Sequence, residues 1–344
     1  MRAVIFIFVI ALTITAFSIP WIRRMAIAMG FVDAPAARKL HASPMPLMGG
    51  LGIVLGAALA VFVIFPDVAM QVRGILLAAA VVAAVGLADD RFHLPAWAKL
   101  AGQFAGFLIL IYFSVHVRLP LPLWLNYLLT FLWLAGISNA INFLDNMDGL
   151  SAGVSGVAAA FILLLAALNN QYLVSALAAA VLGACLGFLR YNFKPAQIFM
   201  GDAGALFLGF LLAVLALQLR FPDNINYVTW MAPVFIMGLP IFDTSLVVIS
   251  RLRRGVNPFT TAGKDHISHR LVDLGFTQRE AVLILYLVTG ASGMVAIFIS
   301  RAEMIEAYGL AATTAVLALA AIIWLEKNKS SEITQISPDK EILR

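Results

Sequence analysis

Long apolar segments separated by short polar loops run through almost the whole chain. Each segment is continuous rather than alternating in polarity and is close to the roughly 20 residues that a helix needs to cross a bilayer. This pattern excludes a transmembrane β-barrel, whose strands alternate. The sequence therefore predicts an all-α polytopic membrane protein with about eleven transmembrane helices. The predicted spans are Ala3–Ile22, Met48–Phe65, Gly74–Ala88, Leu100–Val117, Leu121–Ser138, Leu150–Leu168, Leu173–Tyr191, Ala203–Leu219, Tyr227–Ser250, Ala281–Ser300 and Ala307–Leu325.

Two of these assignments decide the topology of everything that follows. Gly74–Ala88 is short for a span, and the uncharged stretch 149–189 is divided into two helices at the polar residues 169–171. The first segment resembles a signal peptide in hydrophobicity but lacks an A-x-A cleavage site and is followed by Arg23 and Arg24. We therefore expect it to be a retained helix.

The composition agrees with a membrane protein. Of the 344 residues, 62% are apolar and 12% are charged, and the mean hydropathy is +0.96, whereas soluble domains carry about 25% charged residues. The single cysteine, Cys185, lies within an apolar segment. These values exclude a soluble enzyme with one buried core, a disordered chain and a disulfide-stapled secreted domain.

Basic residues are distributed unequally between the two sides that the predicted spans define. With the N-terminus outside, five of the 23 Lys and Arg residues lie outside and the remaining 18 inside, and such a bias marks the cytoplasmic side. We therefore expect an outer N-terminus, a membrane domain over 1–326 and a flexible cytoplasmic tail over 327–344. No basic stretch is interleaved with aromatic residues, so no nucleic-acid partner is predicted. The outer basic residues are Arg2, Arg73, Arg118, Arg220 and Arg301.

Polar residues that topology does not explain gather on the predicted inner side. They could be solvated helix ends, but adjacent carboxylates repel each other and favour a compensating cation. Oxygen ligands without clustered His or Cys favour Mg²⁺ or Mn²⁺ over zinc, and Mg²⁺ in turn suggests a phosphate substrate. The residues are Asp89 and Asp90 at the end of the third span, Asn139, Asn142, Asp145, Asn146 and Asp148 after the fifth, Asp202 at the start of the eighth, and Asp265, His266, His269 and Arg270 in the longest inner loop.

Glycines flank Asp202 in the stretch FMGDAGALFLG. Gly201 and Gly204 would allow a diphosphate to approach the backbone at a helix N-terminus. Close packing of membrane helices explains Gly204 and Gly209 equally well, and Asp202 could serve only as a helix cap. Both interpretations stay open on the sequence alone.

Several segments occur in a fixed order along the chain: VDAPAARKLHASPMPLMGG, LADDRFHLPAWAKLAGQ, NAINFLDNMDGLSAG, FMGDAGALFLG and NPFTTAGKDHISHRLVDLGF. In this order and topology they resemble the motifs of the polyprenyl-phosphate N-acetylhexosamine-1-phosphate transferases of glycosyltransferase family 4. The same superfamily contains the muramoyl-pentapeptide phosphotransferase of peptidoglycan synthesis. The resemblance covers almost the whole chain, from Val32 to Phe276.

The resemblance implies transfer of a sugar 1-phosphate from a UDP-sugar to undecaprenyl phosphate, with release of UMP, as the first step of a cell-envelope polysaccharide. The site would lie on the cytoplasmic face of the bacterial inner membrane, with Mg²⁺, or Mn²⁺ in its place, as cofactor. DHISHRL resembles the loop of wall-polymer and O-antigen initiators, so UDP-GlcNAc is the expected donor and UDP-MurNAc-pentapeptide the alternative. A homodimer is a further expectation.

The resemblance also implies roles for individual residues. Asp89, Asp90 and Asp202 are the predicted catalytic residues. Asp202, with the side-chain oxygen of Asn142, would hold Mg²⁺ at the diphosphate. Asp89 and Asp90 would orient or deprotonate the lipid phosphate, with a covalent aspartyl phosphate as the minor alternative. The predicted substrate-binding residues are Arg38 and Lys39 near the lipid phosphate, Lys99 and Asn139, Asp145 and Asp148 in the nucleotide pocket, Phe199 stacked on uracil or simply packed, and His266, His269 and Arg270 at the pyrophosphate or sugar.

The chain departs from the family pattern at three positions. The family usually reads DGxDGL where Asn146 follows Asp145, usually has serine at Ala205, and often has a third histidine where Ser268 stands. None of these departures removes an acidic residue. They bear on the identity of the sugar, because the loop 266–270 is where family members are expected to read it.

Three alternatives remain open on the sequence alone. A proton-coupled transporter would carry its acids near the membrane midplane on broken helices, and an aspartyl intramembrane protease would need two helix-borne aspartates. Neither explains the segment Asn139–Gly153 or the basic loop. His266 and His269 could bind zinc, although further soft ligands are lacking.

Overall fold

The computed structural model describes residues 2–33, 45–64, 69–258 and 263–328. The predictions for Arg38 and Lys39, and most of the predicted tail, lie outside the described residues. The described chain is almost entirely helical, with one two-stranded antiparallel ladder in which Val32 pairs with Pro46. The elements are α1 (Arg2–Ala28), β1 (Val32–Asp33), β2 (Met45–Pro46), α2 (Gly49–Ile64), α3 (Met70–Phe92), α4 (Ala96–Tyr112), α5 (Leu123–Leu144), α6 (Leu150–Leu168), α7 (Tyr172–Asn192), α8 (Gly201–Leu217), α9 (Asn226–Thr229), α10 (Met231–Ile236), α11 (Gly238–Arg253), α12 (Ile267–Asp273), α13 (Gln278–Ile299) and α14 (Met304–Lys327).

The described residues form seven helices that are long and apolar enough to cross a bilayer, namely α1, α3, α5, α6, α7, α13 and α14. Helices α2, α4 and α8 are apolar but shorter, with 16 or 17 residues each. Helix α6 has its predicted bounds, and a turn at 169–171 separates it from α7, as the polar residues there predict. The prediction of a helical membrane protein is confirmed.

The predicted span Tyr227–Ser250 corresponds to three helices with a bend rather than to one straight helix. Helices α9 and α10 meet α11 at an angle of 71°. Proline and glycine lie at the breaks in this segment: Pro233 has no N–H to continue the hydrogen bonding of α9 into α10, and Gly238 directly follows the bend. Pro240 lies in the first turn of α11, where the missing N–H has no helical partner in any case.

Polar residues that were placed at or after the ends of the third and fifth spans belong to the helices themselves. Helix α3 is longer than the predicted Gly74–Ala88 and includes Asp89 and Asp90 in its last turns. Helix α5 likewise extends beyond its predicted end and includes Asn139 and Asn142. These side chains are therefore held by regular helices rather than by loops.

Helix α8 lies in the middle of the bundle, and α2, α3 and α5 pack against it. All its residues from Ala203 to Ala216 are buried. A Cβ atom at Gly204 would collide with the backbone of Gly50 in α2, and one at Gly209 would lie 2.7 Å from the Cα of Ser138 in α5. Close helix packing therefore accounts for both glycines.

Candidate active site

Helices α3, α4 and α8 and the residue that follows α5 bring charged side chains together at one end of the bundle. We call this group the acidic cluster, and it consists of Asp89, Asp90, Asp145, Asp202 and Lys99. The Lys99 Nζ lies 2.9 Å from Asp89 Oδ2 and 3.0 Å from Asp202 Oδ2. These three side chains are 11–27% exposed, so water screens their attraction only in part. One ammonium group thus joins α3, α4 and α8.

Asp90 faces the N-terminus of α8. Its Oδ1 accepts a hydrogen bond from the N–H of Asp202 at 2.7 Å, and its Oδ2 accepts one from the N–H of Ala203 at 3.2 Å. These amides begin α8 and have no carbonyl partner within the helix, and negative charge is favoured there. Gly201 has φ of +71°, and an added Cβ would lie 2.6 Å from Asp90 Oδ2. Asp90 therefore caps α8 from a neighbouring helix, while its contact with a lipid phosphate stays a prediction.

Asn142 completes the surroundings of the Asp202 carboxylate. Its Nδ2 donates to Asp202 Oδ1 at 2.9 Å, so each Asp202 oxygen has a partner within the protein. One helical turn along α5, Asn139 Nδ2 donates to Gln103 Oε1 at 3.0 Å. Gln103 is 1% exposed, and its Nε2 has no hydrogen-bond partner in the described part of the chain. Sequence reasoning selected Asn139 but missed Gln103, although an amide within the apolar helix α4 is a visible signal.

Asp145 is the carboxylate of the cluster that makes no hydrogen bond or ion pair with its side chain among the residues that the structure describes. Burial raises the pKa of the Asp145 carboxyl to about 8, and the negative charges of Asp202 and Asp90 act in the same direction. Among the residues that the structure describes, Lys99 is the basic side chain that bridges these carboxylates. The cluster is therefore suited to an additional cation.

Mg²⁺ fits this set of donors. Within the described ranges, no group of three or more His, Cys, Asp or Glu side chains is arranged to hold a metal. Magnesium, however, commonly takes one or two protein carboxylates and completes its shell with water and substrate phosphate. The oxygens of Asp202, Asn142 and Asp145 are donors of this hard type.

The loop between α7 and α8 is fastened to the turn between α5 and α6. The N–H of Ala196 donates to Asp148 Oδ2 at 3.1 Å, and Lys194 Nζ lies 3.5 Å from the same oxygen. Asn192, which sequence reasoning did not select, donates from Nδ2 to the carbonyl of Ile198. The Asp148 carboxylate thus holds this loop, and its contact with a nucleotide stays a prediction.

Phe199 lies in the same loop, immediately before α8. Its N–H donates to the carbonyl of Pro46 at 2.9 Å, and its carbonyl accepts from the N–H of Gly49 at 3.0 Å. The ladder of β1 and β2 leads into this contact. The backbone of Phe199 is therefore fixed, while stacking of its half-buried ring on uracil stays a prediction.

The loop predicted to read the sugar forms what we call the α12 segment, residues 263–274. His266 Nδ1 lies 2.7 Å from Asp243 Oδ2, and Asp243 Oδ1 accepts from the N–H of Ile267 at 2.7 Å. Asp243 is fully buried in α11. Sequence reasoning missed it, although a single carboxylate within an apolar segment is a recognised functional signal.

Arg270 is bound on all sides by protein. Its Nε donates to the carbonyl of Asp265 at 2.9 Å, one terminal nitrogen to the carbonyl of Leu325 at 2.9 Å, and the other to Glu326 Oε1 at 2.5 Å. Asp265 in turn pairs with Arg251 at 3.1 Å. Because Arg270 is only 4% exposed, this arrangement favours a structural role over the predicted contact with pyrophosphate or sugar.

His269 differs from its neighbours because its side chain has no hydrogen bond or ion pair in the described part of the chain. Its ring centroid lies 6.5 Å from that of His266. Burial lowers the pKa of His269 to about 4, and the positive charge of Lys264 adds to this effect. The His269 imidazole is therefore neutral at pH 7 and available to a ligand.

Comparison with known proteins places the motifs in a family. Residues 72–220 match the description "Glycosyl transferase family 4". The chain is 36% identical over 298 residues to a "Probable undecaprenyl-phosphate N-acetylglucosaminyl 1-phosphate transferase" of Bacillus subtilis, across 84% of this chain and 82% of the relative. The chain belongs to glycosyl transferase family 4. The resemblance read from the motifs is confirmed.

Two further relatives show the breadth of family 4. The chain is 33% identical to a decaprenyl-phosphate N-acetylglucosaminephosphotransferase of Mycolicibacterium smegmatis, across 81% of this chain and 78% of the relative. It is 32% identical to a phospho-N-acetylmuramoyl-pentapeptide-transferase of Levilactobacillus brevis, across 73% of this chain and 84% of the relative. The range matched to family 4 contains every residue of the acidic cluster and ends before the α12 segment.

Proposed function

We propose that this protein transfers N-acetylglucosamine 1-phosphate from UDP-N-acetylglucosamine to undecaprenyl phosphate and releases UMP, as the first step of a cell-envelope polysaccharide. The acidic cluster carries the proposal, because four helices of a family 4 chain place carboxylates and one lysine at a common point. The names of the relatives from B. subtilis and M. smegmatis support the sugar and the polyprenyl acceptor. The L. brevis relative supports UDP-MurNAc-pentapeptide as the second candidate donor.

The chemistry joins two anionic phosphates. An oxygen of the lipid phosphate attacks the sugar-bearing phosphorus of the donor, and the bond from that phosphorus to UMP breaks. The second pKa of a phosphomonoester is about 6, so the acceptor is mostly a dianion at pH 7. Removal of a proton from it therefore contributes little to the rate. Alignment and charge neutralisation therefore supply most of the rate.

The residues divide this work between them. Lys99 supplies a positive charge next to Asp89 and Asp202, where an entering phosphate would meet it. Asp202 and Asn142 would hold Mg²⁺, which when bound would neutralise the diphosphate oxygens. Asp90 fixes the first turn of α8, and therefore the direction of the Asp202 side chain.

We further propose that α2, α4, α8 and the bent unit α9–α11 also cross the membrane, which gives eleven crossings with an outer N-terminus. A helix of 16 or 17 residues is about 25 Å long at 1.5 Å per residue, slightly less than the roughly 30 Å of a hydrocarbon core. The excess of basic residues on the inner side supports an acidic cluster at the cytoplasmic face of the inner membrane.

The activity is tested with the purified protein in lipid nanodiscs. We expect label from UDP-GlcNAc to enter a lipid product only when undecaprenyl phosphate is present, with one UMP released per product, and activity to disappear in EDTA and return with Mg²⁺. A panel of UDP-sugars is assayed in parallel. Preference for UDP-MurNAc-pentapeptide would replace the proposed donor, and absence of any lipid product would contradict the proposed reaction.

The topology is tested by labelling single cysteines in intact cells with a membrane-impermeant maleimide. On a Cys185→Ala background, Asn170→Cys should be labelled in intact cells and Lys264→Cys only after permeabilisation. Labelling of Lys264→Cys without permeabilisation would contradict the proposed orientation.

A further inference from the structure

The turn between α5 and α6 meets the start of α12 at one short hydrogen bond. Ser268 Oγ lies 2.6 Å from Asn146 Oδ1, although the two residues are 122 positions apart in the sequence. Ser268 is fully buried. Both positions depart from the motif pattern that the chain otherwise follows. The structure therefore shows that these two departures are in direct contact.

The neighbouring atoms fix the direction of this hydrogen bond. Asn146 Nδ2 lies 2.8 Å from the carbonyl oxygen of Phe143. A carbonyl only accepts hydrogen bonds, so the amide nitrogen must face Phe143 and the amide oxygen must face Ser268. The Ser268 hydroxyl is therefore the donor. Replacement of either residue by alanine removes the bond.

The bond links the turn that carries Asp145 to the α12 segment that carries His269. Asn146 directly follows Asp145, and Ser268 directly precedes His269. Neither Asp145 nor His269 forms a side-chain hydrogen bond or ion pair with the residues that the structure describes, so both are free to contact a ligand.

The other hydrogen bonds of the α12 segment connect it to α11 and α14 rather than to the acidic cluster. His266 is bound to Asp243 of α11, and Arg270 is bound to Glu326 at the end of α14. Neither contact fixes the α12 segment relative to the acidic cluster by a hydrogen bond. The bond between Ser268 and Asn146 does so, because Asn146 belongs to the same turn as Asp145.

We propose that Asn146 and Ser268 form a positioning pair that sets the gap between Asp145 and His269, and thereby the fit of the sugar of the donor. This inference rests on the proposed function, in which the diphosphate of the donor lies at the acidic cluster and its sugar extends toward the α12 segment. The pair acts through its neighbours rather than by touching the reacting atoms. Its loss should therefore weaken donor binding and leave acceptor binding unchanged.

The test compares steady-state kinetics of Ser268→Ala, Asn146→Ala and the double variant. Each single variant should raise KM for UDP-GlcNAc about five- to tenfold, the loss expected for one hydrogen bond, with KM for undecaprenyl phosphate unchanged. The double variant should be no worse than either single variant, because both remove the same bond. Ser268→Thr keeps the hydroxyl and should restore donor KM. Ser175→Ala, which removes a buried hydroxyl bonded to Gln171 at the other end of the bundle, is the matched control.

Equal rises in KM for both substrates, or additive losses in the double variant, would overturn the proposal. Hydrogen–deuterium exchange distinguishes failure of this proposal from failure of the proposed function. Ser268→Ala should increase exchange in 145–149 and 267–270 more than elsewhere, whatever donor the wild type uses. If the wild type uses no UDP-sugar but exchange rises there, the proposed function fails while the link between the segments stands. Unchanged exchange and unchanged donor KM in Ser268→Ala would remove the positioning role itself.

Discussion

The acidic cluster and the α12 segment differ in how far their buried charged groups are paired within the protein. In the acidic cluster, Lys99 alone bridges the carboxylates, and Asp145 has no partner within the described residues. Around the α12 segment, by contrast, Arg251 faces Asp265 and Arg270 faces Glu326. A buried carboxylate without a partner stays in its neutral form until a cation compensates its charge. The acidic cluster therefore has room for a further positive charge, whereas the buried charges around the α12 segment are paired within the protein.

The strongest test of this difference removes a charge from the acidic cluster. Asp202→Asn takes away the carboxylate proposed to hold Mg²⁺, so turnover of UDP-GlcNAc should fall at least about a thousandfold, or roughly 4 kcal/mol, and its dependence on Mg²⁺ should weaken. Initial rates over a Mg²⁺ titration measure both effects.

Asp223→Asn is the matched control, because Asp223 is exposed and lies outside the cluster; this variant should keep full activity. Measuring Mg²⁺ affinity in the presence of UDP-GlcNAc can contradict the role proposed for Asp202. Unchanged affinity in Asp202→Asn, alongside a large loss in Asp89→Asn, would show that Asp89 rather than Asp202 holds the metal.

Removal of a charge from the α12 segment should instead damage folding. Arg270→Ala removes the shorter of two ion pairs of the buried Glu326 and keeps the pair with Arg253 at 3.4 Å, so the loss should approach the roughly 3 kcal/mol of a broken buried ion pair. We expect a clear fall in the melting temperature of the detergent-solubilised protein, with little change in KM for UDP-GlcNAc in the folded fraction. A tenfold rise in this KM without loss of stability would support the direct substrate contact that the sequence predicted.

Asp90 lies between these extremes, because it belongs to the acidic cluster but binds backbone amides. Asp90→Asn replaces one accepting oxygen by a donating NH₂ group that faces another N–H, so the first turn of α8 should shift. We expect a loss of activity of about a hundredfold, typical of misplaced catalytic groups, that does not recover as the pH rises. A defect that shrinks above pH 7 would instead identify Asp90 as a base for the acceptor.

The smallest expected effect concerns His269 and pH. Its pKa is lowered to about 4 in the folded protein, below the value near about 6.5 of an unfolded histidine. Between these values the unfolded chain binds more protons, so His269 lowers stability as the pH falls from about 6.5 to 4. Melting temperatures measured over this range should fall less steeply in His269→Gln than in the wild type. Parallel curves would contradict the neutral state of this imidazole.

The sequence predicted those features that depend on local pattern. Apolar length indicated the helices, and carboxylates in recurring motifs indicated Asp89, Asp90 and Asp202 before any contact was known. Partners far apart in the chain were not predictable from one sequence. Asp243 and His266 are 23 residues apart, and Arg270 and Glu326 are 56 residues apart. The sequence alone therefore could not indicate that Arg270 pairs with a residue at the end of a distant helix.

The bend at Met237 was missed for a different reason. Hydropathy measures whether a segment prefers lipid, and the segment Tyr227–Ser250 is apolar on both sides of the break. The direction of a helix is set by prolines, glycine and the packing of neighbours. Hydropathy alone therefore cannot predict whether a span is straight or bent.

Because protein surrounds α8, we expect the position of α8 to depend little on the thickness of the bilayer. When hydrocarbon thickness changes, the hydrophobic mismatch is met by tilting or local deformation at helices that touch lipid. Helices α1 and α14 are the least buried of the seven candidate spans, with 28% and 11% of their spanning windows buried. Helix α8 is buried along nearly its whole length, so Asp202 keeps its position relative to α3 and α5 while the outer helices adjust. We therefore expect the geometry of the acidic cluster to change little with acyl-chain length.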